Sequence, residues 1–256
     1  MRIVIFQVGK RGWYFLIPIL LVILAIIIGI TGKEMIGVFS ESKELPIYSV
    51  DTIENKVALT FDCAWGAEDI PDILRVLKKE NIKATFFIVG QWAEKFPQTV
   101  KLIAAEGHDI GNHSYSHLRM GSLDKKKIVN EISACGKKLS EISGAKVELF
   151  RAPFGDYNND VIKAAKELNY FSIQWDVDSL DWKPGISQKE IMKRIQDKVK
   201  PGSILLFHND TVHTVEMLPS IIAALKNNGY SFSPVSTMIE KENYTIDFEG
   251  RQKRIE

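Results

Sequence analysis

Two histidines, His113 and His117, stand four residues apart in the stretch Gly107 to Met120, GHDIGNHSYSHLRM. That spacing places two imidazoles on one side of a helical turn, within reach of a single ion, and imidazole suits zinc and other borderline metals. Two ligands alone are too few, and a pair of surface histidines in a Gly/Asn/Ser-rich loop would look the same. Other chemistry-bearing residues stand beyond apolar runs elsewhere: Asp62 and Cys63, Arg151, Asp178 and Asp181, and His208. Singly, each has an ordinary reading: Asp62 as a turn cap, Arg151 as a surface ion pair, His208 as a satisfied near-core histidine. Together they fall at the same place in successive units of the chain.

Those units are short β-branched or aromatic runs alternating with helical patterns. VALTF precedes a helix with Ile70, Ile73, Leu74 and Leu77 on one face. ATFFIV precedes one through Val100 and Ala104, and DIGN precedes the histidine loop and a helix carrying Ile128, Ile132, Cys135, Leu139 and Ile142. LFRAP, YFSIQW, SILLF and YSFSPV complete about seven strands, and Cys135 reads as core. Strands separated by single helices must run parallel, because each crossover returns the chain to the same sheet end. The expectation is a parallel α/β barrel or strongly curved sheet, in which the C-terminal strand ends open on one mouth and bring these residues together.

The 256 residues, 45% hydrophobic, suffice for one good-sized core. A net charge of +1, from 33 basic and 32 acidic residues, gives no broad field for nucleic acid, and no Gly-rich phosphate loop is present. Two cysteines exclude a disulfide-rich scaffold. Residues 1–12 read as a cytoplasmic N-terminus. Residues 13–31, WYFLIPILLVILAIIIGIT, are uncharged and as a helix would span roughly 28 Å, enough for a single transmembrane anchor. Arg2, Lys10 and Arg11 precede this run, so the positive-inside rule puts the rest outside the cell membrane. The apolar run is long for a cleaved signal peptide, and no A-x-A-like site follows it. Residues 32–55 read as a linker, 56–239 as the α/β domain, and 240–256 as a mobile charged tail.

From Val57 to Thr237 the chain resembles the polysaccharide deacetylases, carbohydrate esterase family 4. The motifs that carry this are TFDCAWG at Thr60, HSYSH at His113, RAPFG at Arg151, DSLDW at Asp178 and LLFHN at Leu205. With the anchor and the WG after the first motif, it is most similar to the sporulation-associated PdaB type. The resemblance implies a distorted (β/α)7 barrel and metal-assisted removal of N-acetyl groups from the amino sugars of a cell-wall glycan, with peptidoglycan as substrate. Asp62 would be the general base and His208 the general acid oriented by Asp181. Arg151 would hold Asp62, while Phe154, through its backbone N–H and its ring, and Trp182 would contact the sugar. The metal, zinc in the first instance, would be held by His113 and His117. The family's third ligand, a second aspartate, is Cys63 here, so either a thiolate takes its place or Cys63 packs as a small apolar residue. A catalytically impaired glycan-binding module and a glycoside hydrolase using Asp62 and Asp181 are the alternative functions.

Overall fold

The computed structural model describes residues 18–26 and 43–255. Residues 18–26 are helical with exposed apolar side chains and belong to a unit ending at Lys43; the body is a second unit that begins at Glu44. Most of the expected anchor and residues 32–42 of the expected linker lie outside the described residues. Among those described, no helix is long and apolar enough to cross a membrane.

The body is built on a curved parallel sheet in the order β6-β5-β4-β3-β2-β8-β7. Its strands are β2 (Lys56–Cys63), β3 (Thr85–Ile88), β4 (Asp109–Asn112), β5 (Leu149–Phe150), β6 (Phe171–Ser172), β7 (Val177–Asp178) and β8 (Ile204–His208), and β9 (Ser231–Phe232) pairs with the start of β2. All seven expected runs form strands, and β7 is an addition. The arrangement is a parallel half-barrel consistent with the expected (β/α)7 fold.

The central strand β2 shows how the pattern positions the site. Side chains alternate across a strand. Val57, Leu59, Phe61 and Cys63 pack outward with Ile73, Leu77, Ile221 and other helical residues in the larger core cluster. Ala58 faces inward with Phe87, Leu149 and Ile204, and Thr60 and Asp62 continue that inner row. The helix Ile70–Lys79 buries the four residues expected of it. The helix Lys125–Ser143 buries Ile128, Ile132, Cys135 and Leu139, begins on the Asp124 side-chain cap and ends at Gly144 in the left-handed region.

The folded body extends past 56–239 at both ends. Ile47 bridges to Ile173 beside β6, the Val50 N–H donates to the Gly202 carbonyl, and both side chains are buried. Gly202 has a φ of 82°, and a Cβ there would meet the Val50 carbonyl oxygen at 1.7 Å, so this closure requires glycine. The stretch read as a mobile tail is instead ordered. Its strands β10 (Tyr244–Ile246) and β11 (Arg251–Arg254) form a second sheet with β1 (Ser49–Val50), and Gln252 is buried with its amide exchanging hydrogen bonds with the Glu240 backbone.

Candidate active site at the C-terminal strand ends

Asp62 near the end of β2 and His208 at the end of β8 are register partners on adjacent parallel strands. Behind Asp62 lies Arg151, fully buried just after β5, whose guanidinium donates to Asp62 Oδ1 at 2.7 Å and to Thr60 Oγ1 at 2.9 Å. A third donation, to the Gln174 carbonyl, and the Phe87 ring 3.9 Å from the guanidinium carbon fix its plane. Burial alone would push the Asp62 carboxyl up. The Arg151 charge, with lesser help from His113 and His208, outweighs that and holds it below the usual carboxylate value.

The β8 side reverses this order. Asp181 is 3% exposed and spends both oxygens internally: Oδ1 accepts from His208 Nδ1 at 2.8 Å, and Oδ2 accepts from the His208 N–H and the Thr214 hydroxyl. That pairing leaves His208 Nε2 facing outward. Burial pulls the imidazole pKa down, but the hydrogen bond and charge of Asp181 more than offset it, so the net shift is upward from 6.5. Asp181 is therefore unavailable as the acid of a two-carboxylate glycosidase.

The histidine loop follows β4. Asn112 caps the Ser114 N–H, buried Glu131 accepts from the Ser116 N–H and hydroxyl, and Ser114 and His117 sit at positive φ. Such non-glycine backbone is costly and marks a loop held by its surroundings. His113 donates from Nδ1 to the Arg151 carbonyl at 2.8 Å, which turns Nε2 toward Asp62 Oδ2, 3.4 Å away. The two imidazole centroids are 5.1 Å apart. Burial lowers the pKa of both rings, that of His117 to about 4.

Six of the expected residues, Asp62, His113, His117, Phe154, Trp182 and His208, line one cleft of about 400 Å³, a volume typical of ligand sites. Arg151 and Asp181 stand behind them. Phe154, at φ 60°, packs its exposed ring on His117 with centroids 4.5 Å apart. Five wall residues are additions: Ala64, Trp65, Arg119, Trp175 and Leu206. Trp65 is 57% exposed and meets His117 edge-on, although its backbone is clamped by Trp92 Nε1 and Asn209 Nδ2. Its exposure marks it as a site residue, since burial is the ordinary state of tryptophan, and that exposure shows only in the structure.

Residues 49–173 match the polysaccharide deacetylase family model. A peptidoglycan-N-acetylglucosamine deacetylase of Bacillus cereus is 39% identical over 189 residues, covering 72% of this chain and 68% of the relative. The chain belongs to the polysaccharide deacetylase family. The peptidoglycan-N-acetylmuramic acid deacetylase PdaA of Bacillus subtilis is 33% identical, with 76% of each chain covered. A solved structure from Bacillus anthracis, described as a CE4 family pseudoenzyme, superposes with a TM-score of 0.73 at 32% identity, covering 82% of this chain and 70% of that one.

For a polysaccharide deacetylase, Cys63 is the departure that matters, and it does not join the histidines. It follows Asp62 directly within β2, so its side chain points to the opposite face. There it is fully buried in the apolar cluster, its Sγ directed to the Phe61 carbonyl. Burial, reinforced by the negative charges of Asp62 and Asp69, pushes the thiol pKa well up, away from the thiolate that a metal requires. Among the described residues no group of three His, Cys, Asp or Glu side chains is placed to hold a metal ion. The two imidazoles suit a divalent cation, but the three-ligand set is incomplete and does not fit the expected zinc site. The expectation of Cys63 as a ligand is corrected accordingly.

Proposed function

We propose that the cleft hydrolyses the N-acetyl group of an amino sugar in peptidoglycan, with Asp62 as general base and His208 as general acid. The observation that carries this is the pairing of Asp62 and His208 in register across one cleft, each backed by a buried partner of opposite charge. A water oxygen attacks the acetyl carbonyl carbon as its proton passes to Asp62. When the C–N bond breaks, the sugar nitrogen takes a proton from His208 Nε2, leaving acetate and a free amine. By the family resemblance, the Phe154 backbone N–H would stabilise the negative charge that develops on the carbonyl oxygen. Phe154 and Trp182 offer their exposed rings to the apolar face of the sugar. No step is assigned to a metal.

The names of the similar proteins support peptidoglycan as the substrate class. Acetate release from purified peptidoglycan, measured for the full chain in detergent and for its Asp62→Asn variant, tests the reading; equal release from both overturns it. The incomplete ligand set favours a second reading, a glycan-binding module without turnover, to which saturable peptidoglycan binding without acetate would point.

The membrane setting is part of the same proposal. Residues 13–31 would form a single anchor with the domain outside the cytoplasm, a reading supported by their uncharged sequence and the basic residues before them. Sporulation is the physiological setting suggested by the motif resemblance, and it predicts expression confined to sporulating cells. Extraction of the protein from membranes by carbonate without detergent would rule out the anchor.

A further inference from the structure

Two charged groups of the cleft are each paired with an opposite charge; among the described residues two others, Asp178 and Arg119, are not. Asp62 is matched by Arg151 and His208 by Asp181, while the Asp178 carboxylate accepts the Leu180 N–H. Arg119, which lines the same cleft, forms no ion pair with an acidic side chain among the described residues. Its guanidinium carbon sits 4.7 Å from the centre of the Phe154 ring, which supports one face and leaves the N–H edge open. The backbone below it is fixed: Met120 is fully buried, and the Gly121 N–H donates to Asp156 Oδ2 at 3.1 Å. An exposed side chain on an anchored loop, stacked on a ring that is itself at the site, is preorganised for an anion.

We propose that Arg119 is a specificity-determining residue that selects an N-acetyl amino sugar carrying a carboxylate on its neighbouring carbon. The inference rests on the deacetylase reading and deepens it. In a muramic-type sugar the acetamido group is on C2 and an acid-bearing ether is on C3, the adjacent ring carbon. When the acetamido group lies between Asp62 and His208, the C3 substituent emerges beside it toward the rim. A guanidinium there meets a carboxylate with two parallel N–H donors, a match that an uncharged N-acetylglucosamine cannot offer. The carboxylate has two possible sources: the free acid of the ether itself, or an acid farther along a peptide joined to it.

The test uses the full chain in detergent and four probes: the N-acetylglucosaminyl-N-acetylmuramic acid disaccharide, its methyl ester, the same disaccharide bearing a tripeptide, and chitobiose. KM and kcat from acetate release are read beside equilibrium binding to the Asp62→Asn variant. The free acid should bind on the order of tenfold or more tighter than its methyl ester. Arg119→Gln should collapse that ratio mainly through KM, and Arg119→Lys should restore part of it. Tight binding of the tripeptide form, lost in Arg119→Gln, would support the proposal with the peptide acid as the source. An acid-to-ester ratio near one in the unaltered protein together with tripeptide binding that is unchanged in Arg119→Gln, or an acid-to-ester ratio that survives in Arg119→Gln, overturns it. A loss in Arg119→Gln that is equal for all four probes marks a structural role and overturns it as well. If no probe releases acetate while the Arg119-dependent binding ratio holds, the deacetylase reading fails and the carboxylate site stands.

Discussion

The two sides of the cleft use the same pair of charges in opposite order. On the β2 side the cation, Arg151, is buried behind, and the carboxylate, Asp62, faces the cleft; on the β8 side the carboxylate, Asp181, is behind and the imidazole, His208, faces forward. Each rear group favours the charged form of the one in front, against the burial that disfavours it. The front groups are thereby biased toward complementary states, Asp62 toward the proton acceptor and His208 toward the proton donor, on adjacent strands. What decides whether a residue acts as acid or base here is which member of the pair stands behind, and this can be altered one residue at a time.

The largest effect is expected from removing either front group. Asp62→Asn and His208→Ala should each lower the rate of acetate release by about 100- to 10,000-fold, the usual contribution of a general base or acid. A loss of only a few-fold in both would break the comparison. Next in size is Arg151→Met, which strands a buried carboxylate: stability should fall by about 3–5 kcal/mol in denaturant unfolding. The sign with pH follows from the lowered pKa of Asp62. Its contribution is present above the unfolded value, near 3.8, and is lost as pH falls through the lower folded one. In Arg151→Met burial is left largely unopposed and the carboxyl pKa rises, so the dependence should reverse, with the variant regaining stability as pH falls. Asp181→Asn removes the support of His208, so the basic limb of the rate profile should shift to lower pH, with a smaller loss at neutral pH than His208→Ala.

The smallest effect is expected at Cys63, which belongs to neither side. Cys63→Ala should cost on the order of 1 kcal/mol in stability, as for a deleted buried group of methyl size. It should leave cobalt binding unchanged. Cobalt added to the unaltered protein should give no thiolate charge-transfer band, and a band that disappears in Cys63→Ser would reverse the orientation found here.

Much of this was readable in the sequence because strands and helices write their periods into it. The seven apolar runs became strands, and the polar residues beyond them converged on one mouth, as parallel topology requires. The position of Cys63 was readable too, from alternation alone: within one strand a residue next to Asp62 faces away from it unless a bulge intervenes. The motif resemblance pointed the other way, and the local geometry prevailed. Residues 47–50 and 244–254 were missed because two- to four-residue strands such as RQKR carry too few apolar positions to show a period. Their pairing comes from long-range partners, Gly202, Ile173 and Glu240, which local patterns do not reveal. Trp65 and Arg119 were missed for a similar reason, since their roles arise only where separate loops meet at the rim.

The pH dependence of acetate release by the unaltered protein tests the central claim most directly. With Asp62 as base and His208 as acid, the profile should be a bell: its acid limb below 3.8, where Asp62 becomes protonated, and its basic limb above 6.5, where His208 loses its proton. A rate that instead rises as pH increases through the His208 pKa would mean that His208 acts as the base, and would contradict the assignment of the two sides.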